Sequence, residues 1–179
     1  MMKIMLLCVA LLMAAGVGAS AAAPTFNFTK CPAYWELQSE RVKQDFDLSK
    51  MMGKFYELAL HDYTQDPACY KPDCITADKA VDDRLNMIND TFTLGCFGSG
   101  YTVPLYFDLT KVKGYFIGEQ KVLPSIKFPD TVVDYKLSED GSTYEWIIEF
   151  QCDELLGHVA FTGINFYARH HNVTEEYYN

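Results

Sequence analysis

Apolar residues after position 22 occur in short alternating or continuous runs, and turn-forming residues separate these runs. Short runs without helical spacing are typical of an antiparallel all-β domain. The pattern predicts a short helical turn over 46–52, which Asp47 or Ser49 can cap. It also predicts eight strands, which cover residues 54–63, 74–81, 91–97, 102–108, 113–119, 131–137, 143–151 and 158–169.

Turn-forming residues divide the predicted strands. We expect turns at 82–84, 89–90, 98–100 and 139–142, and a mostly irregular segment at 25–45. Pro124 and Pro129 bracket a connection that we do not expect to be a central strand, because proline lacks a backbone N–H. Eight strands can close a small barrel with room for one ligand, but a two-sheet sandwich accounts for the same pattern.

The first 21 residues have the layout of a secretory signal peptide. Lys3 gives a positive start, residues 4–15 are apolar, and Ala19-Ser20-Ala21 matches a cleavage site. The alternative is a membrane anchor, but the apolar stretch is shorter than the roughly 20 residues that span a bilayer. We therefore expect secretion, no integral membrane span, a signal peptide at 1–21, an N-terminal arm at 22–45 and one barrel domain at 46–179.

Charge and motifs narrow the range of partners. The net charge is −9 and the basic residues are scattered, so nothing favours binding to nucleic acid or to an anionic membrane surface. No Gly-x-Ser-x-Gly, phosphate-binding loop or His-Glu-x-x-His sequence occurs. We expect no cofactor and no metal site. His170 and His171 are adjacent and would point to opposite sides of a strand, and Cys69 and Cys74 lack a second ligand pair.

The cysteines and sequons agree with export. The chain has six cysteines, and Cys8 lies in the predicted signal peptide. The remaining number is odd, so we expect disulfides plus one thiol that is free or bonded to another molecule. Asn-x-Thr triplets predict glycosylation at Asn27, Asn89 and Asn172.

Residues 46–59, Phe-Asp-Leu-Ser-Lys-Met-Met-Gly-Lys-Phe-Tyr-Glu-Leu-Ala, resemble the first conserved block of the lipocalins. Phe55 stands where that family usually has tryptophan, and Gly53 permits a tight turn into the strand. Residues 142–148 are similar to the second block, and residues 166–169 are similar to the third. The resemblance implies an eight-stranded antiparallel up-and-down β-barrel of the lipocalin (calycin) type, in which Arg169 packs across Phe55 in a cation–π contact.

Among lipocalins, the apolipoprotein D-like group is the most similar, because its members begin with Lys-Cys-Pro, as Lys30-Cys31-Pro32 does here. That resemblance implies a Cys31–Cys152 disulfide. It also places Cys74 in a second bridge whose usual C-terminal partner is absent. We expect Cys74 to pair with Cys96, which leaves Cys69 free, and Cys69–Cys96 is the alternative.

The family also implies a helix after the eighth strand. The chain stops at Asn179, ten residues after Arg169, so the helix is missing or truncated, or the sequence is a fragment. Either case would leave a barrel face uncovered. This face and a free Cys69 are candidate contacts for a protein partner or a dimer.

The resemblance implies a small hydrophobic ligand such as a sterol, fatty acid, pigment or retinoid-like molecule. On the seventh strand, Tyr144, Trp146, Ile148 and Phe150 share one face. Each aromatic residue can equally be plain core, and the evenly spaced Glu57 and His61 can face inward or outward. The candidate ligand-binding residues are Glu57, His61, Tyr101, Phe107, Tyr115, Tyr135, Trp146, Ile148, Phe161 and Tyr167.

Two other functions remain open. Residues 47–56 and Asp73-Cys74 also resemble the lipocalin domain of violaxanthin de-epoxidase, which implies an enzyme acting on an apolar substrate. No catalytic residue of that family can be assigned here, and the plastid lumen or another secretory compartment is the alternative location. A structural or adhesive secreted protein is the third possibility.

Overall fold

A computed structural model describes residues 29–62, 75–96, 99–120 and 123–171. Two short helices and a 3-10 turn lead into eight strands. The helices are α1 (Tyr34–Leu37) and α2 (Glu40–Asp45), and the 3-10 turn is Leu48–Met51. The strands are β1 (Gly53–Asp62), β2 (Thr76–Asp82), β3 (Met87–Cys96), β4 (Ser99–Leu109), β5 (Tyr115–Gln120), β6 (Leu123–Leu137), β7 (Tyr144–Leu155) and β8 (His158–Ala168).

The strands form a closed barrel in which each strand pairs antiparallel with the next. Closure comes from β1 and β8, which pair from Tyr56↔Ala168 to Asp62↔Gly163. A sandwich would leave these two strands as edges, whereas closure satisfies their backbone groups. The predicted eight-stranded antiparallel up-and-down barrel is therefore confirmed, and the sandwich is excluded.

The closed end of the barrel forms around the turn that precedes β1. The Asp47 side chain accepts a hydrogen bond from the Ser49 backbone N at 2.9 Å, so Asp47 caps the 3-10 turn as predicted. Gly53 has φ of 92°, a conformation that favours glycine, and it turns the chain into β1. Phe46, Met51 and Phe55 then point into the core and are buried.

Two predicted connections are wrong. Residues 89–90 lie inside β3, and the turn before that strand is 83–86, where Asn86 has φ of 53°. β6 also runs through Pro124 and Pro129, which were expected to bracket a loop. β6 pairs with β7 only from Asp130 onward, so both prolines lie where β6 lacks that neighbour. An edge position tolerates a residue without an N–H.

The N-terminal arm covers the outer face of β6 and β7, and its helices correct the expectation of an irregular segment. The Ser39 backbone N donates to the Val133 carbonyl at 2.8 Å, and Arg41 pairs with Asp134. The Cys31–Cys152 disulfide, with a Cα–Cα distance of 5.7 Å, joins the arm to β7. The arm is therefore part of the packed structure.

β7 has buried residues on both of its faces. The face that points into the lumen is the opposite of the predicted one. Ile147, Glu149 and Gln151 face the lumen, whereas Phe150 and Cys152 are buried beneath the arm. Trp146 packs against Phe166 on the outside, with ring centroids 5.7 Å apart. The apolar face of this strand was predicted to point inward, but in the structure it points outward.

The described residues contain no helix long and apolar enough to cross a membrane. Between the end of β8 at Ala168 and His171, the last described residue, no helix is formed. The expectations for residues 1–28 and 172–179 lie outside the described residues, and so do those for Cys69 and Cys74.

Candidate ligand-binding site

An aromatic plug fills the closed end of the barrel. Arg169 lies over Phe55, with its Cζ 3.7 Å from the ring centroid, which is the contact that the resemblance implied. Its guanidinium donates to the backbone carbonyls of Lys50, Met52, Lys54 and Tyr144 at 2.8–3.1 Å. These bonds use the guanidinium donors on backbone, so this end of the barrel is structural.

A group of polar side chains occupies the middle of the lumen, and we call it the lumen cluster. Its members come from six of the eight strands and are at most 8% exposed. They are Glu57, Lys79, Asp90, Asp130, Glu149, Gln151, Asn165 and Tyr167. Buried polar groups of this kind are costly unless they are paired.

Lys79 connects opposite walls of the barrel. Its Nζ lies 2.8 Å from Asp90 Oδ2 on β3 and 3.3 Å from Glu149 Oε1 on β7. Because β2 and β7 are not neighbours in the sheet, the second contact crosses the lumen. Burial alone would lower the pKa of Lys79, but the surrounding carboxylates raise it above its ordinary value, so the ammonium stays charged.

Two carboxyl groups of the cluster, those of Asp130 and Glu149, favour protonation. Burial raises the pKa of Asp130 well above its ordinary value, and the negative charge of Glu149 adds to this shift. Burial likewise raises the pKa of Glu149, although Lys79 opposes the shift. Asp90 Oδ1 and Asp130 Oδ1 are both buried without a hydrogen-bond partner. The cluster thus contains acceptor atoms that no group in the described residues satisfies.

Glu57 joins the cluster through β8. In the orientation that satisfies its surroundings, Asn165 Nδ2 donates to Glu57 Oε1 at 3.2 Å and to the Ile164 carbonyl at 3.0 Å. Tyr167 is buried beside these groups. Burial, followed by the charge of Glu57, raises its pKa well above the ordinary value. Tyr167 therefore remains a neutral phenol.

Apolar side chains line the lumen between the cluster and the open end. Phe92 and Leu94 follow Asp90 along β3 in that direction, and Val103 pairs with Phe92 from β4. Phe128 precedes Asp130 on β6 and lies over Gly118, where a Cβ atom would be 2.5 Å from its ring. Glycine leaves the space that this ring occupies. The lumen thus has an apolar wall above a polar floor.

Three predicted ligand-binding residues, Glu57, Phe107 and Tyr167, meet at the cluster. The Phe107 and Tyr167 ring centroids lie 5.2 Å and 5.4 Å from Lys79 Nζ. Phe161 pairs with Asp153 near the open end and is half-buried. The phase of β8 places it on the same side as Asn165.

Four predicted residues lie elsewhere. Tyr135 packs on Tyr144 in the aromatic plug, with centroids 4.2 Å apart. Tyr115 stacks on Tyr34 of the arm at 4.7 Å. Trp146 and Ile148 are on the outer side of β7. The predicted inward orientation of Trp146 and Ile148 is wrong. The arm buries Phe150 and Cys152 on the outer face of this strand, so its apolar positions do not mark the lumen.

His61 and Tyr101 belong to β1 and β4, but their side chains lie outside the described set. The β1–β8 register shifts between Glu57 and Ala59. The even spacing of Glu57 and His61 therefore no longer implies a shared face.

Sequence reasoning missed Lys79, Asp90, Asp130, Glu149 and Gln151. A signal was present in β2 and β3, where Lys79 and Asp90 have the same phase as the apolar residues Ala77 and Phe92. A charged residue at an inward position of a buried strand indicates a partner across the lumen. That partner, Glu149, lies 70 residues away in sequence.

Two surface clefts are formed by described residues, and both lie outside the lumen. One, of about 250 Å³, lies beneath the arm between Tyr34, Trp35 and Phe150. The other, of about 450 Å³, lies beside Arg169 and His170. In the described ranges, no three acidic, histidine or cysteine side chains are grouped to hold a metal ion.

The remaining predicted sites are only partly described. Cys96 ends β3, and its side chain is outside the described set. Asn89 is in the middle of β3, where it pairs with Ala80 and Tyr106, and its Oδ1 atom is buried. Asn27 and Asn172 lie outside the described residues.

A closed eight-stranded antiparallel barrel with an aromatic plug and an N-terminal arm is a lipocalin-like fold. The chain is similar to solved structures of apocrustacyanin C1 (TM-score 0.57, 11% identity, 84% of this chain and 76% of that chain). Apocrustacyanin C2 has TM-score 0.57 and 13% identity over 83% and 76% of the two chains. Lobster apocrustacyanin A1 has TM-score 0.55 and 14% identity, over 84% of this chain and 76% of that chain.

No protein-family model and no curated protein sequence matches the chain. At identities this low, the structural likeness concerns the fold.

Proposed function

We propose that the protein is a lipocalin-type carrier that binds one small, largely apolar molecule inside the barrel. The observation that carries this proposal is the layering of the lumen. Phe92, Leu94, Val103 and Phe128 form an apolar wall on the open side, and the lumen cluster lies beneath it. A ligand with an apolar body and a polar end matches both layers.

Two further observations support a carrier. The similar structures are named apocrustacyanins, and the prefix denotes a protein without its bound group. The Cys31–Cys152 disulfide agrees with an oxidising compartment, and with the signal-like residues 1–21 it supports our proposal of secretion.

The test uses N-phenyl-1-naphthylamine, a dye whose emission rises in apolar surroundings. Val103→Trp places a large side chain on the lumen wall, and Thr102→Trp places the same side chain on the exposed face of β4. We expect the dye to bind the wild type and Thr102→Trp alike, and to bind Val103→Trp about tenfold more weakly or not at all. Equal binding by the two variants would place the dye outside the lumen and contradict the proposal.

Catalysis on an apolar substrate is a second candidate function, favoured by Asp130. A buried carboxyl group with a raised pKa can donate a proton, and here it lies below an apolar wall. The assay is loss of the epoxide from a xanthophyll in the presence of ascorbate at mildly acidic pH. Turnover that Asp130→Asn abolishes would support catalysis, and no turnover by the wild type would remove this candidate.

A further inference from the structure

We propose that the polar end of the ligand is a cation, such as an ammonium group on an apolar body. The inference rests on the proposed function, because it concerns the same lumen. It begins with an imbalance of charge. Asp90, Asp130 and Glu149 are at most 3% exposed, and Lys79 is the one basic side chain that is buried with them among the described residues.

Two orphaned atoms specify what is missing. Asp90 Oδ1 and Asp130 Oδ1 are buried and accept no hydrogen bond from the described residues, so a ligand group that donates would satisfy them. A carboxylate or a carbonyl on the ligand has no hydrogen to donate and would add to the negative charge or leave it unchanged. An ammonium group supplies both the hydrogens and the opposite charge.

Aromatic rings at the same place favour a positive charge. Phe107 and Tyr167 already flank the Lys79 ammonium, and ring faces attract cations within about 6 Å. The described carboxylates are not grouped as metal ligands. The oxygens are spread over several strands, which matches a ligand that carries its own apolar body better than a bare ion.

Proton binding replaces the cation when the lumen lacks a ligand. The groups that face the site are Glu57 from β1, Lys79 from β2, Asp90 from β3, Asp130 from β6, Glu149 and Gln151 from β7, and Asn165 and Tyr167 from β8. A cation that approaches Asp130 and Glu149 lowers their affinity for protons. Binding of the amine therefore releases protons, and acidification weakens it.

The experiment compares three probes of one chain length by calorimetry: octylamine, 1-octanol and octanoate. We expect octylamine to bind about tenfold or more tightly than 1-octanol at pH 7.5, with less preference at pH 5.5, and octanoate to bind least. Asp130→Asn should remove the preference for octylamine over 1-octanol. Asp83→Asn, in the exposed 83–86 turn, is the matched control and should keep that preference.

The outcomes separate the two proposals. If 1-octanol or octanoate binds as tightly as octylamine at both pH values, a lumen site exists but the cation inference is wrong. If none of the probes binds, the proposed function fails and the inference fails with it.

A second measurement needs no variant. Titration of the wild type with octylamine in buffers of different ionisation enthalpy counts the protons released. We expect a net release of protons when the amine binds. Release of no protons would contradict the inference even if Asp130→Asn does not fold.

Discussion

Lys79 shows how one residue organises the interior. Its side chain leaves β2 and ends between carboxylates on β3 and β7, at 2% exposure. A buried cation needs such partners, and the partners need the cation equally. The ammonium and its two partners therefore stabilise one another inside the barrel.

Lys79→Met tests this dependence. The substitution keeps an unbranched side chain but leaves Asp90 and Glu149 without their ammonium partner. We expect a loss of about 3–5 kcal/mol in the free energy of unfolding at pH 7, measured by urea denaturation. The loss should be smaller at pH 5, because the raised pKa of Glu149 favours uptake of a proton there, and adding Glu149→Gln should recover part of it. An unchanged urea midpoint would show that the ion pairs do not support the fold.

Arg169 has the corresponding role at the closed end, where it donates to carbonyls of the segment before β1 and of β7. Arg169→Ala removes these bonds together with the contact on Phe55. We expect about 3 kcal/mol of destabilisation, measured by chemical denaturation. Arg84→Ala is the control, because Arg84 is 91% exposed in a turn and should change stability by less than about 0.5 kcal/mol. Equal effects of the two variants would contradict the structural role of Arg169.

At the scale of elements, the sequence predicted strand content better than strand orientation. The eight strands were found because turn residues separate them, and the Gly53–Glu57 block fixed where the barrel begins. β7 was misoriented because the arm buries Phe150 and Cys152 on its outer face, while Glu149 and Gln151 face inward. Apolar alternation reports the lumen only when the other face of a strand contacts water.

The arm depends on its disulfide, which spans 121 residues of sequence. Replacing both cysteines, in Cys31→Ser/Cys152→Ser, avoids an unpaired thiol at this position. We expect a loss of about 4 kcal/mol of stability in the chain-entropy account, together with faster trypsin cleavage after Lys43 in α2. If stability and cleavage rate stayed at their wild-type values, the helices alone would be sufficient to hold the arm on β6 and β7.

At the scale of the whole molecule, the lumen couples the fold to pH. Because the native pKa values of Asp130 and Glu149 are raised, the folded protein binds more protons than the unfolded chain between the ordinary and the raised values. Stability should therefore increase as the pH falls from 7 to 5, by up to about 1.4 kcal/mol per pH unit for each proton taken up.

Denaturant midpoints at several pH values measure this dependence. The exposed Asp140, whose pKa is lowered to about 2, acts in the opposite direction only below about pH 4, outside this window. Asp130→Asn should flatten the profile. A protein that loses stability from pH 7 to pH 5 would contradict the assignment of a protonated lumen.

The lipocalin-like fold was accessible from sequence because the blocks at 46–59 and 166–169 lead into the first strand and end the last one, and Phe55 and Arg169 meet at the closed end of the barrel. The lumen cluster was not accessible in this way. Lys79 and Glu149 become neighbours only when the barrel closes, and no local pattern links β2 to β7. Tryptophan fluorescence is not expected to report ligand binding, because Trp35 and Trp146 both lie outside the lumen.

The position of a bound ligand distinguishes a site in the lumen from a site on the outer surface of the barrel. Crystals soaked with 8-bromooctan-1-ol would show the bromine by its anomalous scattering. We expect bromine inside the barrel, among Phe92, Leu94 and Phe128, with the hydroxyl directed toward the lumen cluster. Bromine only in the cleft beneath the arm, between Trp35 and Phe150, would contradict a ligand site in the lumen.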